Sequence, residues 1–346
     1  MTVLSGALAR SALPAALVLG ALALIALAVG VSVGIGDLPI PLATTLAALT
    51  NRLGWTAVEI SRIHETVIWD YRLSRALVAA FCGAGLALSG AIMQALLRNP
   101  LAEPYVLGIS AGASTGAVAV VILGLGGGAV SLSAGAFLGA FAAFLFVALL
   151  SGGTRGGADR TILAGVAASQ LFSAATSYVV TTSGNAQQAR DVMFWLLGSF
   201  GGVRWPEFAL VSVVVGVGLV ACLLQSRVLD AFAFGDEAAA AMGVHVGRTR
   251  LVLFSLIAVM TATIVSMVGS IGFVGLVVPH VARFLVGPLH VRLLPACALI
   301  GAVFMVLADI ASRILIPQQV LPIGVVTALV GVPFFSVILY RLQRPA

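Results

Sequence analysis

Phe234–Arg250 reads FGDEAAAAMGVHVGRTR and lies between two long apolar runs, Pro206–Leu224 and Leu251–Val268. Asp236 is placed to cap a helix, the alanines Ala238–Ala241 are strong helix formers, and Gly243 suits the position just past a helix end. The pattern predicts a helix of about two turns, marginal alone in water and well short of the ~20 apolar residues that a bilayer crossing needs. It therefore lies outside the lipid, with a membrane helix on either side. Two readings fit such an insert: an ordinary polar connector, or a knob on which a soluble partner docks.

Outward from this insert the chain is apolar almost throughout. Of its 346 residues 61% are hydrophobic and only 9% charged, with a mean hydropathy of +1.16. That composition belongs to helical membrane proteins. Ten runs are long enough to cross, near 13–34, 72–97, 105–123, 129–151, 161–182, 206–225, 251–269, 271–287, 293–312 and 322–340. None alternates over segments of about ten residues, which sets aside a β-barrel. The expected fold class is an all-α polytopic membrane protein with about ten transmembrane helices, residues 1–346 forming a single transmembrane domain. The first run, Leu13–Val33, is long for a signal peptide and reads as a retained span.

All 18 basic residues are arginine. Without lysine the chain lacks a phosphate-binding P-loop, and Schiff-base chemistry is closed to it. The net charge of +6 points to membrane topology, because the arginines fall mostly between apolar runs. No nucleic-acid partner is expected. A cytoplasmic N-terminus places eleven arginines inside and seven outside, the latter including Arg72, Arg75 and Arg313. Cys82, Cys222 and Cys297 lie in separate apolar runs and read as small buried hydrophobes.

Two outer connections are long enough to fold. Asp37–Asp70 carries a helical pattern around Leu42–Leu53, and Ser183–Trp205 carries Met193–Leu196 ahead of a glycine-rich turn. Gly135 and Gly139 form a small-xxx-small pair suited to close helix packing. In the run at 161–182, Ser169, Ser173 and Ser177 recur every four residues, with Gln170, Thr176 and Thr181 nearby. Such hydroxyls either bond to backbone within a bundle or line a wetted passage.

Arg72–Ser114 reads RLSRALVAAFCGAGLALSGAIMQALLRNPLAEPYVLGISAGAS, and it strongly resembles the FecCD/BtuC-like permeases, membrane subunits of ABC importers for cobalamin, haem and ferric siderophores. The resemblance continues in VMFWLLGSFGGVRW (Val192–Trp205), in the Phe234–Arg250 insert, in IGFVGLVVPHVARFLVG (Ile271–Gly287) and in Leu293–Phe335. It implies ten helices per subunit in a BtuC-like permease fold, a homodimer with the passage on its two-fold axis, two cytoplasmic ATPase subunits and a periplasmic substrate-binding protein. It further implies a multi-pass location in the bacterial inner membrane, among membrane lipid. No cofactor is expected on this chain, ATP and Mg being held by the partner ATPase, and the chain itself is not expected to be an enzyme.

The resemblance also assigns residues. Gly235, Asp236, Glu237, Ala238, Ala239, Met242 and Gly243 become the coupling helix that fits a groove in the ATPase. Arg72, Arg75 and Arg313 become exposed guanidinium groups that pair with carboxylates of the binding protein, a task suited to their bidentate geometry. Asp309, four residues before Arg313, is placed to compete for it. Asn99 and Leu101 match one cytoplasmic gate loop. Ala158 and Asp159 stand at the second gate, where the cobalamin permeases carry small hydroxyl residues. Ser169, Ser173 and Ser177 fall on the helix that lines the pathway. Val320 departs from a common Glu before Leu321-Pro322.

Three other functions have candidate residues. An ion-coupled secondary transporter wants a carboxylate within the membrane, and only Asp309 is available. An intramembrane serine protease would draw on Ser89 or Ser110 with His280, and His280 could also be imagined as a haem ligand, although a lone intramembrane histidine more often packs against backbone. The leading expectation is an ATP-driven permease for an iron complex, haem or ferric siderophore, with cobalamin as the alternative.

Overall fold

Backbone in lipid has no water to bond, so an apolar run is stable there only when every N–H and C=O is satisfied within its own segment. This chain meets the demand with helices. The structure is a computed structural model that describes residues 2–36, 38–153, 157–183, 185–316 and 318–342. Its helices are α1 (Thr2–Gly34), α2 (Leu42–Arg52), α3 (Arg62–Thr66), α4 (Ser74–Leu97), α5 (Ile109–Val121), α6 (Leu132–Leu150), α7 (Ala158–Ser183) and α8 (Ala186–Leu196). There follow α9 (Trp205–Leu224), α10 (Ser226–Phe232), α11 (Asp236–Ala241), α12 (Val246–Val268), α13 (Val274–Val286), α14 (His290–Ile314) and α15 (Ile323–Leu342). A π-helical stretch, Val67–Leu73, joins α3 to α4, and a 3-10 turn, Pro104–Leu107, precedes α5.

Among the described residues six helices are long and apolar enough to cross a membrane: Arg62–Leu97, Leu132–Leu150, Ala158–Ser183, Trp205–Leu224, Val246–Val268 and His290–Ile314. Four shorter apolar helices, Val18–Gly34, Ile109–Val121, Val274–Val286 and Ile323–Ser336, occupy the positions of the remaining expected runs. The sequence places α2 and α8 correctly. It does not anticipate that the run at 72–97 begins ten residues earlier, at Arg62, nor the separate helix α10.

The bundle is built around α4, which is buried along nearly its whole length. Its neighbours come close enough to touch backbone. A Cβ on Gly90 would lie 1.9 Å from the Gly275 carbonyl oxygen of α13. Between α5 and α6, Gly112 and Gly116 face Gly135 and Gly139, and a Cβ on Gly116 would sit 2.0 Å from the Gly135 carbonyl oxygen. With no hydrophobic drive between helices in lipid, such contact supplies the packing energy. Gly116→Ala is therefore expected to destabilise the detergent-solubilised chain by about 1–3 kcal/mol through overpacking. Gly216→Ala on α9, where a Cβ would meet nothing within 4 Å, should leave the melting midpoint unchanged or slightly raised.

One long run is interrupted. α12 stops at Gly269 (φ 76°) and α13 resumes after Phe273, a non-glycine residue at φ 69°. Gly269 has no room for a side chain, since a Cβ there would lie 2.1 Å from the Trp195 carbonyl oxygen at the end of α8.

Candidate functional site

At one end of the bundle the chain leaves α9, forms α10 and presents α11. The helix is shorter than expected, six residues, and its cap differs. Gly235 holds the cap position at φ 100°, a conformation that only glycine adopts readily. Asp236 is the first helical residue, and its carboxylate is taken by Arg250 of α12, whose Nη2 donates to both oxygens at 2.7 and 2.9 Å. Arg250 is buried against the Phe232 ring, 5.6 Å from its centroid. A charge-assisted fork of this kind locks α11 onto the start of α12 far more firmly than alanine propensity would. Ala239 packs inward, whereas Glu237, Ala240, Ala241, Met242 and Gly243 are exposed together with Phe234. The face turned outward is thus mostly small and apolar, with Phe234 78% exposed and Glu237 as its one charged group.

Two further ties reach this end. Arg98 closes α4 in the left-handed conformation, and its guanidinium lies against Gly235. Asp230 of α10 accepts from the His290 backbone N–H at 3.0 Å and pairs with its ring Nδ1 at 2.6 Å, capping α14. Sequence reasoning missed Arg98, Arg250 and the Asp230–His290 pair. None stands at a spacing that a local motif would flag.

The gate residues occupy two segments. Asn99 Oδ1 accepts the Leu101 backbone N–H at 2.9 Å, a side-chain turn that shapes the loop after α4. Ala158 and Asp159 do not lie in a loop: they form the first turn of α7, where an acidic group suits the helix N-terminus. Further along, the 3-10 turn Pro104–Leu107 packs on α7 at Gly165, where a Cβ would be 1.7 Å from the Val106 carbonyl oxygen. Within the first loop Glu103 is pushed above the usual carboxylate range by burial, an effect opposed by the Phe273 backbone N–H that bonds to it.

α7 carries the serines on a face that the rest of the chain leaves open. Ser173 and Ser177 are exposed, Ser169 is half-buried, and Gln170 and Tyr178 share the exposed side. Thr176 turns the other way, bonding to the Phe172 carbonyl and to Thr115 of α5. Hydroxyls facing outward from a membrane-spanning helix are costly against acyl chains and stable against water or a second protein surface.

At the opposite end of α14 the outer arginines depart from expectation. They are not exposed. Arg72, 6% exposed, donates to the carbonyls of Val33, Gly34 and Leu38. Arg75 Nε donates to Asp309 Oδ1 at 2.9 Å, and Arg313 Nη2 lies 3.2 Å from Asp309 Oδ2. Arg313 also donates to the Ser32 and Ile35 carbonyls, at 3.1 and 2.6 Å. The helix end of α1 leaves its last carbonyls without partners, and two guanidinium groups supply them. These side chains tie α1 to α4 and α14. Arg52 and Arg62 remain exposed on the same face, beside Glu65, Trp69 and Asp70 around a cavity of about 180 Å³.

The same geometry answers the rival functions. Asp309 is fully buried between two guanidinium groups, Arg75 and Arg313, and faces no open passage on which an ion-coupled carrier could draw. His280 Nδ1 pairs with the Leu276 carbonyl of its own helix at 3.0 Å, and Ser110 pairs with Ser270. Among the described residues no hydrogen bond joins His280 to Ser89 or Ser110, so no nucleophile–base pair forms.

The FecCD transport family model matches residues 22–341. The chain is 38% identical over 313 residues to the cobalamin import system permease protein BtuC of Halobacterium salinarum, covering 88% of this chain and 80% of the relative. It is 39% identical over 309 residues to the vitamin B12 import system permease protein BtuC of Salmonella typhi, covering 88% and 93%. A solved chain assigned to the metal-chelate type of ABC transporter, in an inward-facing conformation, superposes with a TM-score of 0.81 at 31% identity. That likeness covers 94% of this chain and 99% of the other.

Proposed function

The chain belongs to the FecCD transport family of ABC transporter permeases, and from that premise we propose that it is the membrane conduit of an ATP-driven cobalamin importer. The transport reading rests on α7, a spanning helix whose hydroxyl-bearing face is open to the outside of the chain. Two copies set with these faces towards a shared axis would enclose a polar passage and remove the serines from lipid. The small apolar face of α11 fits a groove on a cytoplasmic ATPase, which holds ATP and Mg. Movement of α11 is carried to α12 through the Asp236–Arg250 fork and to the gate loop through Arg98, opening and closing access by rigid-body displacement.

The binding protein docks at the α2 end of the bundle. With Arg72, Arg75 and Arg313 engaged inward, the groups positioned to meet its carboxylates are Arg52 and Arg62, while the buried triad fixes the surface behind them. The choice of cobalamin over an iron complex follows the two relatives named as cobalamin and vitamin B12 permeases. A metal chelate is the second reading, favoured by the superposed transporter.

The test of cargo is direct. The periplasmic binding protein that co-purifies with this chain should bind cyanocobalamin with a dissociation constant at least tenfold below those for haemin or a ferric hydroxamate, read by isothermal calorimetry. Tighter binding of either iron complex would transfer the assignment to the second reading.

A further inference from the structure

The break between α12 and α13 is held by residues that the transport cycle above does not use. Backbone there is unwound and buried, with Ile271 only 1% exposed, so its polar groups need partners. The Tyr105 hydroxyl supplies both for one residue: it donates to the Ile271 carbonyl at 2.9 Å and accepts the Ile271 N–H at 3.0 Å. On either side the Ser110 and Ser270 hydroxyls meet, and the Phe273 N–H reaches the Glu103 carboxylate. Pro104 also packs against Gly275, where a Cβ would lie 3.0 Å from the proline ring.

All the partners lie within residues 103–110, the stretch that follows Asn99 and Leu101. The near end of this loop touches α11, through Arg98 at Gly235. Its far end touches the junction at which α12 stops. α12 itself is a continuous rod of 23 residues, about 34 Å long, which begins at the Asp236–Arg250 fork. The loop is thus fastened to both ends of the same rod.

We infer that Tyr105 is a positioning residue which makes the gate loop travel with the α12–α13 junction, so that displacement of α11 reaches the gate at both of its ends. This rests on the coupling role proposed for α11. The hydroxyl is the decisive atom. Removing it leaves one N–H and one C=O of Ile271 buried and unpaired, which favours release of the loop from the junction. Phenylalanine retains the ring and its packing, so the change is confined to the clamp.

The test uses the assembled complex with its ATPase, carrying nitroxide labels on L101C or, separately, on R248C in the exposed first turn of α12, with distances between the two copies read by pulsed electron spin resonance. Cys82, Cys222 and Cys297 are buried and remain unlabelled. In the native background both pairs should shift on adding ATP. In Y105F the R248C pair should shift as before, while the L101C shift falls to half or less. An undiminished L101C shift in Y105F overturns the inference. A native complex in which neither pair responds to ATP sinks the coupling role itself, and this assignment with it. Hydrogen exchange on the full chain without partners gives a second reading. Amides of residues 269–273 should exchange about tenfold faster in Y105F, while α12 is unchanged. Equal exchange in the two proteins would rule out the clamp.

Discussion

Exchanging Gly235–Gly243 for a glycine–serine linker of equal length is expected to reduce ATP-driven uptake in proteoliposomes to background, while the ATPase subunit continues to hydrolyse ATP. The reason is mechanical. α11 has six residues and would not persist alone in water. It stays rigid because Gly235 takes a conformation that other residues avoid and because Asp236 is gripped by a buried guanidinium. A flexible linker removes both, so a push from the partner would bend the linker and leave α12 where it was. Arg250 would also lose its carboxylate, so Asp236→Ala alone should reproduce much of the loss. Uptake at the native rate with the linker in place would refute the coupling role of α11.

The second large effect lies at the other end of α14. Asp309→Ala is expected to cost about 3–5 kcal/mol of stability, because it strands buried guanidinium groups without their counter-charge. Arg75 is 15% exposed, Arg313 is 7% exposed, and the carboxylate between them is fully buried. The measurement is the melting midpoint of the purified chain in detergent, together with its yield from membranes. The double substitution Asp309→Ala with Arg75→Met should recover part of the loss, since one charge is removed along with its partner. If the single change proved neutral, the carboxylate would not be what holds these arginines, and the Ser32 and Ile35 carbonyls would have to suffice for Arg313.

Much of the architecture was legible from run length and composition. The positions of the apolar runs, the surface helix α2, the small-residue face of α6 and the Asp309–Arg313 pair all follow from local sequence. The failures share one cause: a partner distant in the chain. Asp236 looks like a cap until Arg250, fourteen residues on, claims it. Arg72 looks exposed at the start of a span until the carbonyls of Val33, Gly34 and Leu38, at and just past the end of α1 and 34 to 39 residues earlier, accept from it. Arg75 meets Asp309 across 234 residues, and Tyr105 meets Ile271 across 166. No periodicity encodes such pairs. Cargo is a different matter: no run length or residue spacing separates cobalamin from an iron chelate, and the preference for cobalamin follows the names of two relatives.

The open serine face of α7 also bears on how the protein is made. α7 is the least apolar of the six long spans, and only 22% of its most apolar window is covered by the rest of the chain. If two copies face each other as proposed, a lone copy in the bilayer would hold Gln170, Ser173 and Ser177 against acyl chains, which disfavours it relative to the pair. On that reading, pairing within the membrane completes each copy, because it is the step that covers the polar side of α7.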